Sequence, residues 1–119
     1  MSEQVNSKID YQQYSEFCDT TDQTIVDHSY PALMYHALGF AGESGEVANK
    51  IKKVFRDDGG ELNDDRVQQI MKEMGGAFWY FARICKHLNV TPDQIMQTNY
   101  EELFSRRARN TIKGDGDVR

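Results

Sequence analysis

The strongest constraint on the fold is a 3.6-residue rhythm of apolar side chains through the middle of the chain. Val67, Ile70, Met71, Met74, Phe78, Phe81, Ala82, Cys85 and Leu88 recur at the spacing of one helix face, carried to Asn89. Asn63 is suited to cap this helix, and Asp64 and Asp65 suit the positive end of its dipole. Two other segments share the rhythm, and a fourth is marked by its cap. Tyr11, Tyr14, Phe17 and Cys18 predict a first amphipathic helix from Ile9 to about Thr21. Leu33, Ala37, Phe40, Ala41, Val47, Ile51 and Val54 predict a second, capped by Ser29 with Tyr30-Pro31 in its first turn. It runs to about Phe55, and Asp57-Asp58-Gly59-Gly60 then turns the chain. Thr91-Pro92-Asp93-Gln94 is a capping box with proline at the first helical position, opening a fourth helix that reaches roughly Arg109. No segment reads as strand-rich. The expectation is one all-α domain over residues 1–119, of the four-helix-bundle type, with 1–7 and 113–119 loose and polar.

A chain of 119 residues supports one core. Its 14 basic and 19 acidic residues leave a net charge of −5, which argues against general nucleic-acid binding. Cys18 and Cys85 lie far apart without metal-ligand spacing and read as reduced thiols. There is no apolar run of membrane-spanning length and none at the N-terminus that reads as a signal peptide. A soluble, cytoplasmic protein without a membrane partner is expected.

Gly39, Gly42 and Gly45 interrupt the second helix, and each costs about 0.5–1 kcal/mol against alanine. A break, or a very close neighbouring backbone, is expected there. Carboxylates sit among these glycines. The helical stripe from Glu43 passes through Glu46, Lys50 and Lys53; the stripe from Glu73 passes through Gly76, Tyr80, Arg83 and His87. Carboxylates on two helices suit Mg²⁺, which keeps several waters and is completed by substrate phosphates. Nearby cations would neutralise phosphate charge, and a ring would stack on a base. The same residues also describe a solvated face with i,i+4 charge pairs, Tyr80 beside Trp79 a core or interface pair, and His87 a favourable C-terminal charge. Spacing alone leaves both open.

The string Ala37-Leu38-Gly39-Phe40-Ala41-Gly42-Glu43-Ser44-Gly45-Glu46-Val47-Ala48-Asn49-Lys50-Ile51-Lys52-Lys53 resembles the MazG-like nucleotide pyrophosphohydrolases, the all-α NTP pyrophosphatases. So do Glu73-Met74-Gly75-Gly76-Ala77-Phe78-Trp79-Tyr80 and the ending from Arg106-Arg107-Ala108-Arg109 to Gly114-Asp115-Gly116-Asp117. The resemblance spans nearly everything from about Pro31 to the C-terminus, in order. It implies a bundle assembled as a homo-oligomer, a dimer or dimer of dimers. It also implies Mg²⁺-dependent cleavage of a (d)NTP to a (d)NMP and pyrophosphate, a housecleaning of the nucleotide pool. The family's metal ligands are an E-x-x-E pair followed by an E-x-x-D pair. Glu43 and Glu46 match the first and Glu73 opens the second, but Gly76 stands where the aspartate belongs.

The resemblance makes Glu43, Glu46 and Glu73 metal ligands, with Glu43 or Glu46 activating the attacking water. Lys50, Lys53, Arg83, Arg106, Arg107 and Lys113 become substrate-side cations, while Tyr80 and Asn99 contact the nucleotide. A missing ligand commonly costs about 10–100-fold in metal affinity or activity. The alternative is therefore a non-catalytic nucleotide-binding or sensing protein, and a third reading is a dimerisation module.

Overall fold

The computed structural model describes residues 3–24 and 30–109. Among them there are four α-helices and no strand: α1 Tyr11–Thr21, α2 Tyr30–Asp57, α3 Asp64–Leu88 and α4 Pro92–Ala108. They divide into two compact units, Met1–Leu88 and Asn89–Arg119. The expected Ser29 cap and the 113–119 tail lie outside the described residues.

In the first unit, α1 starts at a reciprocal cap. The Asp10 carboxylate accepts from the Gln13 amide (2.8 Å), and the Gln13 side chain accepts from the Asp10 amide (2.9 Å). Helix α2 continues unbroken through its glycines, which corrects the expected interruption. Packing along α3 outweighs the propensity cost, and α2 with α3 forms the main contact of the unit. A close approach does occur at Gly39, though to a side chain and not a backbone. A Cβ there would collide with the ring carbons of Tyr80, whereas positions 42 and 45 face open space.

A tight turn closes the α2–α3 hairpin. Gly59 and Gly60 take φ of 66° and 80°, a region L side chains rarely enter, and the Gly60 amide returns to the Val54 carbonyl at 3.0 Å. Arg66 Nε donates to Asp58 Oδ2 at 2.9 Å, while Asn63 Oδ1 caps α3 by accepting from the Arg66 amide at 2.8 Å. The core is small: Cys18, Ala32, Val54, Ala82 and Cys85 are buried. Aromatic rings extend it. Tyr11 and Tyr14 of α1 pack on Phe78, Phe78 on Phe81, and Phe81 on Phe40 of α2, with centroids 5.4–6.3 Å apart. Both cysteines are free thiols.

The second unit holds α4 behind the capping box expected at Thr91–Gln94, with Pro92 in its first turn. Asn89, at φ 55°, ends α3 in the left-handed conformation asparagine tolerates. Among the described residues no helix is long and apolar enough to cross a membrane.

Candidate functional site

The antiparallel hairpin sets the register of the candidate site. Gly39 faces Tyr80, and one turn further along α2 Glu43 faces Gly76, one turn back along α3. Continued by the helical repeat three and then four residues on in each direction, that register would put Glu46 level with Glu73 and Lys50 level with Gln69. The carboxyl positions picked out on separate helices thus share one seam.

Glu43 and Glu73 are half-buried, and Glu46 is exposed. A Cβ at position 76 would stand 2.9 Å from Glu43 Oε2 and 3.3 Å from its Cδ, so the Glu43 carboxylate fills the space glycine leaves. Lys50 and Lys53 are half-buried further along α2. Among the described residues, no three His, Cys, Asp or Glu side chains converge as a metal-binding group. The donors along the seam are carboxylate oxygens, the chemistry of a hard cation that retains water, and in that respect they fit Mg²⁺.

Tyr80 is half-buried over Gly39, its ring 6.4 Å from that of Tyr35. Burial, then the Tyr35 hydroxyl and the charge of Glu43, push its phenol pKa up, so it stays a neutral hydrogen-bonding group. Arg83, expected on the substrate side, is instead 1% exposed and bound to two aspartates. Its Nε donates to Asp22 Oδ2 (2.7 Å) and its Nη1 to Asp19 Oδ1 (2.5 Å), tying α3 to the end of α1. In α4, Asn99 is exposed beside a shallow cleft of about 340 Å³ lined by Gln94, Ile95, Thr98 and Glu102. Arg106 is ion-paired with Glu102, and the Arg107 guanidinium lies 5.4 Å from the centre of the Phe104 ring. Lys113 lies outside the described residues.

The residues that the sequence did not single out sit at the other end of the seam. His36 is fully buried, its Nε2 3.0 Å from Asp22 Oδ2 and its Nδ1 3.0 Å from His87 Nε2. Asp22 also accepts from the Thr24 hydroxyl at 2.5 Å and the Thr24 amide at 3.0 Å. Burial pushes the Asp22 pKa up, but these bonds, Arg83 and His36 outweigh it and hold the carboxyl below its ordinary value. Asp19 is likewise lowered, chiefly by the Arg83 hydrogen bond. A signal existed: the four-and-three stripe through Glu43 and Glu46, traced backwards, reaches Gly39 and then His36.

Fold and seam together define an all-α protein whose central helix hairpin carries a carboxylate-lined face flanked by lysines. The chain belongs to the family of the Gene 37 protein of Mycobacterium phage L5, to which it is 37% identical over 91 residues, 76% of this chain and 80% of the phage protein. No protein-family model matches the chain, and no solved structure does.

Proposed function

We propose that this protein is a Mg²⁺-dependent nucleoside triphosphate pyrophosphohydrolase, converting a (d)NTP to a (d)NMP and pyrophosphate and so clearing the nucleotide pool. The observation that carries the proposal is the approach of Glu43 to Gly76 across the helix hairpin; extending that register by the helical repeat puts Glu46 level with Glu73. The resemblance to the MazG-like enzymes supplies the reaction. Glu43, Glu46 and Glu73 would hold the ion, which when bound neutralises charge on the phosphates. Glu43 or Glu46 orients and deprotonates the water that attacks the α-phosphorus in line, breaking the α–β anhydride and releasing pyrophosphate. Lys50 and Lys53 bind phosphate oxygens. Tyr80 offers a neutral hydroxyl and a ring edge to the nucleoside. Asn99, Arg106, Arg107 and Lys113 join the substrate side through the resemblance alone, and so does assembly as a dimer or tetramer.

Gly76 favours one second reading, a protein that binds the nucleotide without turning it over. Incubation with a panel of NTPs and dNTPs and Mg²⁺, with pyrophosphate as the readout, separates the two. Release from at least one nucleotide is expected. Saturable binding without pyrophosphate at high protein concentration would select the sensor.

A further inference from the structure

We propose that the α2–α3 hairpin docks along its apolar edge onto the same edge of a second copy, so that two hairpins close into a four-helix layer. Phe40 of α2 packs on Phe81 of α3, ring centroids 6.3 Å apart, and this pair marks one long edge of the hairpin. Seven or eleven residues away, the helical repeat keeps Ile51, Met74 and Leu88 on that edge, and Phe55 follows one turn beyond Ile51. Glu46 and Lys53 fall on the opposite edge of α2. The hairpin is therefore two-sided, apolar along one edge and charged along the other.

Area fits a protein interface. Phe40, Ile51, Phe55, Met74 and Leu88 are 37–71% exposed. At about 200 Å² for a whole large side chain, these five present roughly 500 Å² of apolar surface. A standard interface takes about 800 Å² from each partner, about 56–65% of it apolar, which is the same quantity. The core beneath the edge is short of volume. Among the described residues its fully buried apolar side chains are Cys18, Ala32, Val54, Ala82 and Cys85, none larger than valine. A second copy supplies the burial that one chain does not.

Length selects the occupant. Helix α2 has 28 residues and α3 has 25, so the edge runs about 40 Å at about 1.5 Å per residue. A single helix of 17 residues, the length of α4, spans about 25 Å and leaves about a third of the edge open. A second hairpin covers all of it, and two-fold pairing sets identical faces together with no edge left over. The charged edge, with Glu46, stays open to solvent. This pairing takes up the assembly in the reading above and does not depend on its chemistry.

Sedimentation velocity of the full-length protein gives its mass, and thermal melts at about 1 µM and about 100 µM show whether stability depends on concentration. Wild type is expected at twice the mass of one chain, or an even multiple of it, with a melting temperature that rises with concentration. Ile51→Glu sets a carboxylate into the edge and is expected to halve the mass and flatten that dependence. Lys52→Glu adds negative charge to α2 away from the edge and keeps both. If Ile51→Glu is not helical by circular dichroism, Phe55→Glu takes its place, because that side chain is the most exposed of the set. A wild type that is monomeric at about 100 µM, or a folded edge variant of unchanged mass, overturns the pairing. Pyrophosphate release is measured on the same wild-type sample. A paired protein without turnover supports the pairing and removes only the enzyme reading.

Discussion

The Glu43 carboxylate occupies the space into which a side chain at Gly76 would project, 2.9 Å from where its Cβ would stand. The residue absent from the expected ligand set and the first residue present in it are therefore neighbours across the helix hairpin. An aspartate at 76 would meet the movable end of Glu43, not a rigid wall.

Gly76→Asp tests this adjacency directly. The new carboxylate crowds Glu43 with like charge, so without metal the variant is expected to melt below Gly76→Ala. With Mg²⁺ its melting temperature should rise more than that of the wild type, and pyrophosphate release should increase about 10–100-fold. Equal Mg²⁺ responses in the two proteins would count against a shared cation site.

Glu46→Gln and Glu73→Gln separate chemistry from folding. One side chain is exposed and the other half-buried, so stability should change by no more than about 0.5 kcal/mol. Mg²⁺-dependent turnover should fall at least about tenfold in each. Steady-state kinetics beside thermal melts provide the check, and undiminished turnover in both variants would remove these residues from the site.

The glycines of the hairpin should respond with opposite signs. Gly75→Ala adds a Cβ into open space within a helix and is expected to stabilise by about 0.5–1 kcal/mol. Gly39→Ala drives a Cβ into the Tyr80 ring and should destabilise, at a packing cost of about 1–3 kcal/mol against the same propensity gain. Urea unfolding of both variants measures the difference.

Asp22 and Arg83 are a buried pair, each side chain 1% exposed, so Asp22→Ala should cost about 3 kcal/mol by removing the acceptor of Arg83 Nε and of His36 Nε2, with Asp19 still paired to the guanidinium. The folded-state pKa values of Asp19 and Asp22 lie below the ordinary one. Their contribution is then complete above the unfolded value of about 3.9 and is lost as pH falls through the native values. Acid unfolding followed by circular dichroism should show a wild-type transition below about pH 4 that is shallower in Asp22→Asn.

Alkaline pH acts through the opposite linkage. Burial, reinforced by Cys85, pushes Tyr11 up to about 12, and burial also raises the Cys18 and Cys85 thiols. Groups with raised native values stabilise fully below their unfolded values and lose that contribution as pH rises through the native ones. For Tyr11 the loss runs from about pH 10, the unfolded tyrosine value, to its native value. At neutral pH both thiols should react with a disulfide reagent only as fast as the protein unfolds. Rapid labelling of the native protein would contradict their burial.

The helices were legible in the sequence because their signals are local. The 3.6-residue rhythm located α3, and the Thr91–Gln94 box located the start of α4, since capping involves only residues three apart. The glycines misled at α2 because propensity is a sum of small local costs that packing against α3 outweighs. Arg83 misled for a related reason: a stripe tells which residues share a face, not what stands opposite them.

The sequence by itself determined the four helices, the caps at Asn63 and Thr91, and the spacing of Glu43, Glu46 and Glu73 along two stripes, all of which follow from local signals and the helical repeat. Only the tertiary structure decided that the stripes meet in antiparallel register, that Gly39 admits a tyrosine ring and Gly76 a carboxylate, and that Asp22 draws His36 and Arg83 together. Those outcomes depend on how two helices approach and on side chains 14 to 61 residues apart, distances over which no local propensity carries information.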